Sequence, residues 1–210
     1  MNNRTSQPQQ TAWEEAKTIR RANMHYRRAE TLRVKGELAA AIAQYRIATQ
    51  AAPENAHYRY RLGECAAAAG DHEEATAQLE AACSLAPRDG FYRFSLGEVY
   101  ANAGRHTEAI RWLQRAIAAA PEDSYYTIRL GIVCLHAGYI QQAVRAFRHA
   151  VGLEPDNAGY HSLLGDAYVQ LGYEREALRH YRHAGKLDPY FAAVVDRLRR
   201  QAVRAGAAAP

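Results

Sequence analysis

Four Leu-Gly pairs, Leu62-Gly63, Leu96-Gly97, Leu130-Gly131 and Leu164-Gly165, each follow the last by 34 residues. A second glycine stands seven positions beyond each pair, at Gly70, Gly104, Gly138 and Gly172, and Gly36 lies one period earlier. Ala41, Ala75, Ala109, Ala143 and Ala177 come five residues after those glycines, and Pro53, Pro87, Pro121, Pro155 and Pro189 close the periods. Self-similarity at such an interval marks stacked supersecondary units rather than one globular core.

Each recurring position has a physical reason. A glycine inside a helical pattern costs about 1 kcal/mol relative to Ala, so its repetition implies another helix packed close against that point. The later glycine suits the left-handed residue that ends a first helix, and the recurring Ala again permits close approach. Proline closes the second helix. Five helix–turn–helix units follow, at 22–55, 56–89, 90–123, 124–157 and 158–191.

The pattern resembles the tetratricopeptide repeat, a 34-residue unit with the skeleton W-x2-L-G-x2-Y…A-x3-F…P. The third unit carries it as Leu96, Gly97, Tyr100, Ala109, Leu113, Ala116 and Pro121, and the fifth as Leu164, Gly165, Tyr168, Ala177, Tyr181, Ala184 and Pro189. The resemblance implies an all-α fold, an α-solenoid wound as a right-handed superhelix of five repeats. Two departures stand out. Arg28-Ala29 replaces Leu-Gly in the first unit, and Arg59, Arg93, Thr127 and His161 occupy the place of the family's early Trp. Tyr58, Tyr92, Tyr126 and Tyr160, one residue before, are candidates for that bulky packing role.

Outside the repeats, residues 11–21 read as a helical extension, which Ser6 or Thr11 could start. Residues 1–10 read as a disordered tail. Val194, Val195, Leu198 and Ala202 recur at helical spacing opposite arginines, which suits a C-terminal capping helix over 192–205. Residues 206–210 form a second disordered tail.

Charge is distributed unevenly. The chain is +5 overall, with 24 Arg and 3 Lys, but residues 1–35 carry +5 and 192–210 carry +3. The middle of the chain, residues 36–191, is therefore net −3, which disfavours nucleic acid as the partner of the array. No apolar run approaches the ~18–20 residues of a membrane span, and "MNNRTSQPQQ" is not a secretory signal. Cys65, Cys83 and Cys134 sit in Ala-rich helical segments as small buried thiols, which fits a reducing, cytoplasmic setting. The Arg-over-Lys bias leans bacterial.

No catalytic constellation, cofactor site or metal site emerges, and the chain reads as a non-enzyme. "DHEEA" lacks the second His of the H-E-x-x-H zinc helix. His180 and His183 share one helical face, and the stretch "RHYRHAG" reads as a solvated basic surface rather than a metal set.

Removing the skeleton leaves a second stripe on each first helix, at repeat positions 2, 5, 9 and 12, which share one helical face. In the family resembled, that face lines the concave groove where peptides dock. Here it carries Tyr26, Glu30, His57, Tyr60, Glu64, Phe91, Phe94, Glu98, Tyr125 and Asp166, with Asn102 and His136 alongside. Glu30, Glu64 and Glu98 form an acidic ladder beside an aromatic one. A single-sign field in a concavity attracts cations, and aromatic faces suit Lys or Arg. Arg27, Arg61 and Arg129, at the sixth positions, either hold an acidic group there or pair with the ladder. Family members that grip a C-terminal carboxylate use Lys and Asn at positions five and nine, and that chemistry is absent.

The leading expectation is thus a protein-interaction scaffold that binds a basic or amphipathic peptide segment. The second is self-assembly, with the basic N-terminal segment of one chain in a neighbour's groove and a homo-oligomer as the product. Binding of nucleic acid or an anionic surface through the Arg-rich ends ranks third.

Overall fold

The computed structural model describes residues 6–188. The expected capping helix, both outermost tails and the last three residues of the fifth repeat lie outside these residues or at their edge. Among the described residues all regular structure is helical: α1 (Ser6–Val34), α2 (Leu38–Ala51), α3 (Ala56–Ala68), α4 (His72–Leu85), α5 (Gly90–Asn102), α6 (His106–Ala119), α7 (Ser124–His136), α8 (Ile140–Leu153), α9 (Ala158–Gln170) and α10 (Glu174–Leu187). Of the two starts the sequence offers, Ser6 and Thr11, α1 takes Ser6, so residues 6–10, read as part of a disordered tail, are helical. Pro8 does not stop it, because a proline in the first turn sacrifices an N–H that has no intrahelical acceptor anyway.

The chain divides into two compact units, 1–105 with α1–α5 and 106–210 with α6–α10. In the first, α1 packs on α2, α3 on α4, and α2 and α4 on the helices that follow them. In the second, α7 packs on α8 and α9 on α10, with α6 against α7 and α8 against α9.

The signals read in sequence act locally as their chemistry requires. Gly36, Gly70, Gly104, Gly138 and Gly172 all adopt left-handed backbone, with φ between 73° and 84°. Behind Gly70, the Asp71 N–H donates to the Ala66 carbonyl, a bond that reaches five residues back and closes the helix end. First helices start on an Asn or Asp placed two residues after a proline. Asn55, Asp89, Asp123 and Asn157 each accept a backbone N–H through the side chain.

Close approach explains the Leu-Gly glycines. A Cβ on Gly63 would lie 2.9 Å from Leu79 Cγ, one on Gly131 2.3 Å from Phe147 Cε1, and one on Gly165 2.8 Å from Tyr181 Cε1. In each case the intruding side chain belongs to the second helix of the same repeat. Ala41, Ala75, Ala109, Ala143 and Ala177 are all buried, as are the skeleton leucines Leu62, Leu79, Leu96, Leu113 and Leu164.

The residues that replace the family's Trp do something else. Arg59 Nε and His161 Nε2 lie 2.9 Å from the carbonyls of Pro53 and Pro155, and Arg93 donates to the Pro87 carbonyl. The same position also reaches across to the second helix: His25 to Gln44 (2.8 Å), Arg59 to Gln78 (3.3 Å) and His161 to His180 (3.0 Å). A polar clasp thus holds turn, first helix and second helix together where an indole would have packed. The preceding tyrosines tie successive repeats instead. Tyr58 donates to Asn23 Oδ1 at 2.6 Å, and the Tyr160 hydroxyl lies 3.1 Å from Ser124 Oγ.

Candidate functional site

The helical register of α1, α3 and α5 brings the predicted aromatics of the first unit into one string. Tyr26 contacts His57, with ring centroids 5.6 Å apart and the Tyr26 hydroxyl 2.9 Å from His57 Nε2. His57 then neighbours Tyr60 at 5.9 Å, and Tyr60 meets Phe91 edge-to-face at 4.9 Å. Edge-to-face contacts at this spacing add to apolar burial. Burial, and then the nearby Arg61 charge, lowers the His57 pKa, so its imidazole favours the neutral form.

A cleft of about 390 Å³ lies at the α3–α5 end of this string. Tyr60, Phe91 and Phe94 give it an apolar lining, while Glu64, Glu98 and Asn102 bring polar groups. The fifth-position residues are more enclosed than a fully open groove face implies: Tyr60 and Phe94 are each 9% exposed, and they offer edges to the cleft. Phe91 is 42% exposed and presents the larger free surface. His72, Leu79 and Ser95 also line the cleft, and none of the three belongs to the predicted groove stripe. His72 and Leu79 are second-helix positions on α4, which do not belong to the groove stripe, while Ser95 stands on α5 next to Phe94.

The acidic ladder is not a bare single-sign field. Arg61 Nη2 lies 2.9 Å from Glu30 Oε2 and Arg61 Nη1 lies 2.6 Å from Glu64 Oε2, so one guanidinium bridges two rungs. Glu30 also accepts from Arg33 at 3.0 Å and from the Tyr45 hydroxyl. Burial works to raise the Glu30 pKa, but the bonds from Tyr45 and Arg33 and the Arg61 charge outweigh it and hold the carboxyl below its ordinary value. Of the two roles open to Arg61, pairing with the ladder is the one it takes. Tyr60 donates to Glu64 at 3.1 Å, and burial first, then that carboxylate, pushes its phenol up to about 12.

In the second unit, Tyr125 is 55% exposed on the first turn of α7, and His136 is exposed at its end. Asp166 on α9 accepts from the Tyr181 hydroxyl at 2.5 Å. These three residues line neither the α6–α8 cleft nor the α8–α10 cleft of that unit. Among the described residues, no three His, Cys, Asp or Glu side chains converge on a metal position. His180 turns to His161 rather than forming a metal face with His183 alone. Cys65, Cys83 and Cys134 are buried, and none of them forms a disulfide. Burial raises the Cys65 and Cys134 thiol pKa values, the latter to about 11.

Comparison with known proteins agrees with this architecture. Family models described as tetratricopeptide repeat match residues 26–90, 67–128 and 158–191. No curated protein sequence matches the chain. Among solved structures, a crystal structure of MamA is similar with a TM-score of 0.70 at 24% identity, covering 79% of this chain and 96% of its own. MamA from Desulfovibrio magneticus RS-1 gives 0.71 at 20% identity, covering 81% and 96%. YrrB, described as a TPR protein with an unusual peptide-binding site, gives 0.69 at 23% identity, covering 90% and 97%. These likenesses support an all-α solenoid of helical repeats. With the 34-residue period, the helix pairs it generates and the family models all in agreement, this chain belongs to the tetratricopeptide repeat family.

Proposed function

We propose that the protein is a non-catalytic interaction scaffold that seats a basic or amphipathic peptide segment of a partner protein in the α3–α5 cleft. The observation that carries this reading is the joining of an exposed aromatic, Phe91, with Glu64 and Glu98 around one concavity. Such a site takes a side chain with an apolar stem and a cationic head, as Lys and Arg have. Because Arg61 offsets Glu30 and Glu64, the apolar anchor contributes more to affinity than the charge does, and the carboxylates lining the cleft add a preference for a cation. We place the protein in a reducing compartment, the cytoplasm, on the strength of three buried cysteines that form no disulfide.

Selection from a random peptide display library on the full chain tests this reading. Enriched peptides should share a Lys or Arg beside an apolar residue, and Phe91→Ala/Glu98→Lys should lose them. Enrichment of the same peptides on both proteins contradicts it.

A second reading is self-assembly, favoured by the ahead-of-repeat stretch of α1. Trp13 and Ile19 are 63% and 56% exposed on that stretch, among Lys17, Arg20 and Arg21. The segment thus has the composition that the cleft would accept. Deleting residues 1–21 and weighing particles by light scattering separates the readings, since an oligomer that persists with the same number of chains removes the second. Among the described residues no helix is long and apolar enough to cross a membrane.

A further inference from the structure

A separate cleft of about 520 Å³ lies within the second unit, between α8, α9 and α10. Arg148 of α8 and Arg179 and His183 of α10 line it, with Glu176 as its one acid. All four side chains are exposed. No ion pair ties either guanidinium to a carboxylate among the described residues. Val151, Leu164 and the Tyr168 ring supply an apolar floor. On α9 the lining residues His161, Leu164 and Tyr168 fall on the side opposite Ser162 and Asp166, given 3.6 residues per turn, so this is not the groove stripe.

His161 and His180 form the inner wall. His161 Nε2 lies 2.9 Å from the Pro155 carbonyl, which can only accept, so that nitrogen carries the hydrogen. His161 Nδ1 is then the acceptor for the Nδ1–H of His180 at 3.0 Å. His180 Nε2 is left as a lone-pair nitrogen, ready to take a proton. Tyr168 stacks on the His180 ring at 5.6 Å.

Helix pairing does not demand this chemistry. One repeat earlier, the equivalent cleft of about 290 Å³ has Thr127, Ala146 and Gln114 where this one has His161, His180 and Arg148. The fold is built equally well without the imidazole pair or the α8 guanidinium.

We propose that the α8–α10 cleft binds a carboxylate side chain of an acidic peptide segment, with Arg148 and Arg179 as its charge partners and His180 taking up a proton from solvent as the anion binds. The apolar floor selects a peptide, in which Asp or Glu stands next to an aliphatic residue, over a free anion that would leave the floor unused. Proton linkage follows from the surroundings. Burial first, then His161, Arg179, His183 and Arg148, pushes the His180 pKa down to about 4, while Asp156 acts in the opposite sense on His161. A carboxylate among those cations cancels their part and lifts the His180 pKa toward its ordinary value.

The experiment follows the histidine Hε1 signals of the full chain by NMR while N-acetyl-Leu-Glu-Leu-Glu amide is titrated at pH 5.5 and pH 7.5. The acidic peptide should shift His180 and bind severalfold tighter at pH 5.5. Arg148→Gln/Arg179→Gln should weaken it by roughly tenfold or more, and His180→Gln should bind with the pH dependence removed. Both arginines are exposed, and retention of the helical circular dichroism signal confirms that the double variant is folded. Equal binding of N-acetyl-Leu-Gln-Leu-Gln amide, or an unaltered affinity in the double variant, overturns the proposal. Inorganic phosphate that binds as tightly as the peptide overturns the peptide assignment.

Discussion

Arg61 of the second repeat places its Nη2 atom 2.9 Å from Glu30 Oε2 of the first, an inter-repeat ion pair inside what the sequence presents as an acidic ladder. Both side chains are only about a fifth exposed, so losing one partner leaves a charge poorly solvated. Arg61→Gln should destabilise the protein by about 1–3 kcal/mol, as read from urea unfolding. The Glu30 pKa is lowered in the fold, so its contribution is full above the ordinary carboxylate range and disappears as pH falls through the folded value. Glu30→Gln should therefore flatten the acid limb of the stability curve.

Gly131 and Gly138 serve different ends of one repeat and should respond differently to substitution. A Cβ on Gly131 meets the Phe147 ring, and overpacking of this kind costs about 1–3 kcal/mol. Gly131→Ala/Phe147→Leu should recover part of that loss. Gly138 has open space around it but a φ of +78°. Gly138→Ala should cost about 1–2 kcal/mol, and Gly138→Asn less, since Asn tolerates the left-handed region. Matching losses for Gly138→Asn and Gly138→Ala in thermal melts would count against a backbone cause.

The His161–His180 clasp gives the second unit a pH-dependent stability. Both pKa values are lowered in the fold, mainly by burial, that of His180 to about 4. The unfolded chain therefore binds more protons between about pH 6.5 and pH 4, and stability should fall with pH across that window while staying level above it. Gln44 and Gln78 hold the place of His180 in the first two repeats. His180→Gln should accordingly keep the clasp and reduce the slope. An unchanged slope in melts from pH 7 to pH 4.5 assigns the effect to other groups.

Asp123 caps α7 by accepting from the N–H groups of Tyr125 and Tyr126. Asp123→Ala should cost about 1 kcal/mol, whereas Asp123→Asn should be close to neutral. Hydrogen exchange at the first turn of α7 checks this locally.

The period of 34 made the helix pairs, the glycine turns and the close-approach sites legible, because each depends on backbone geometry that few residues supply. Gly131 against Phe147 is the clearest case. The aromatic string from Tyr26 to Phe91 followed from helical register as well. Sequence did not reveal the polar clasp, since position 4 changes from Arg to Thr to His and only the cross-helix partner gives the residue its role. It left open whether Arg61 holds a ligand or pairs with Glu30 and Glu64, because that choice depends on a rotamer. Nor did the stripe foretell that Tyr60 and Phe94 would be nine-tenths enclosed, which depends on how closely neighbouring helices pack.

The central claim is that the cleft around Phe91 and Glu98 recognises an apolar anchor beside a cation. A double-mutant cycle measures this directly. Calorimetry would compare a selected peptide and its Lys-to-Ala version against the native protein and Glu98→Ala. The account predicts a coupling energy of about 0.5–1.5 kcal/mol between that lysine and Glu98, together with loss of most affinity in Phe91→Ala. A coupling indistinguishable from zero, with Phe91→Ala binding as well as the native protein, would contradict it.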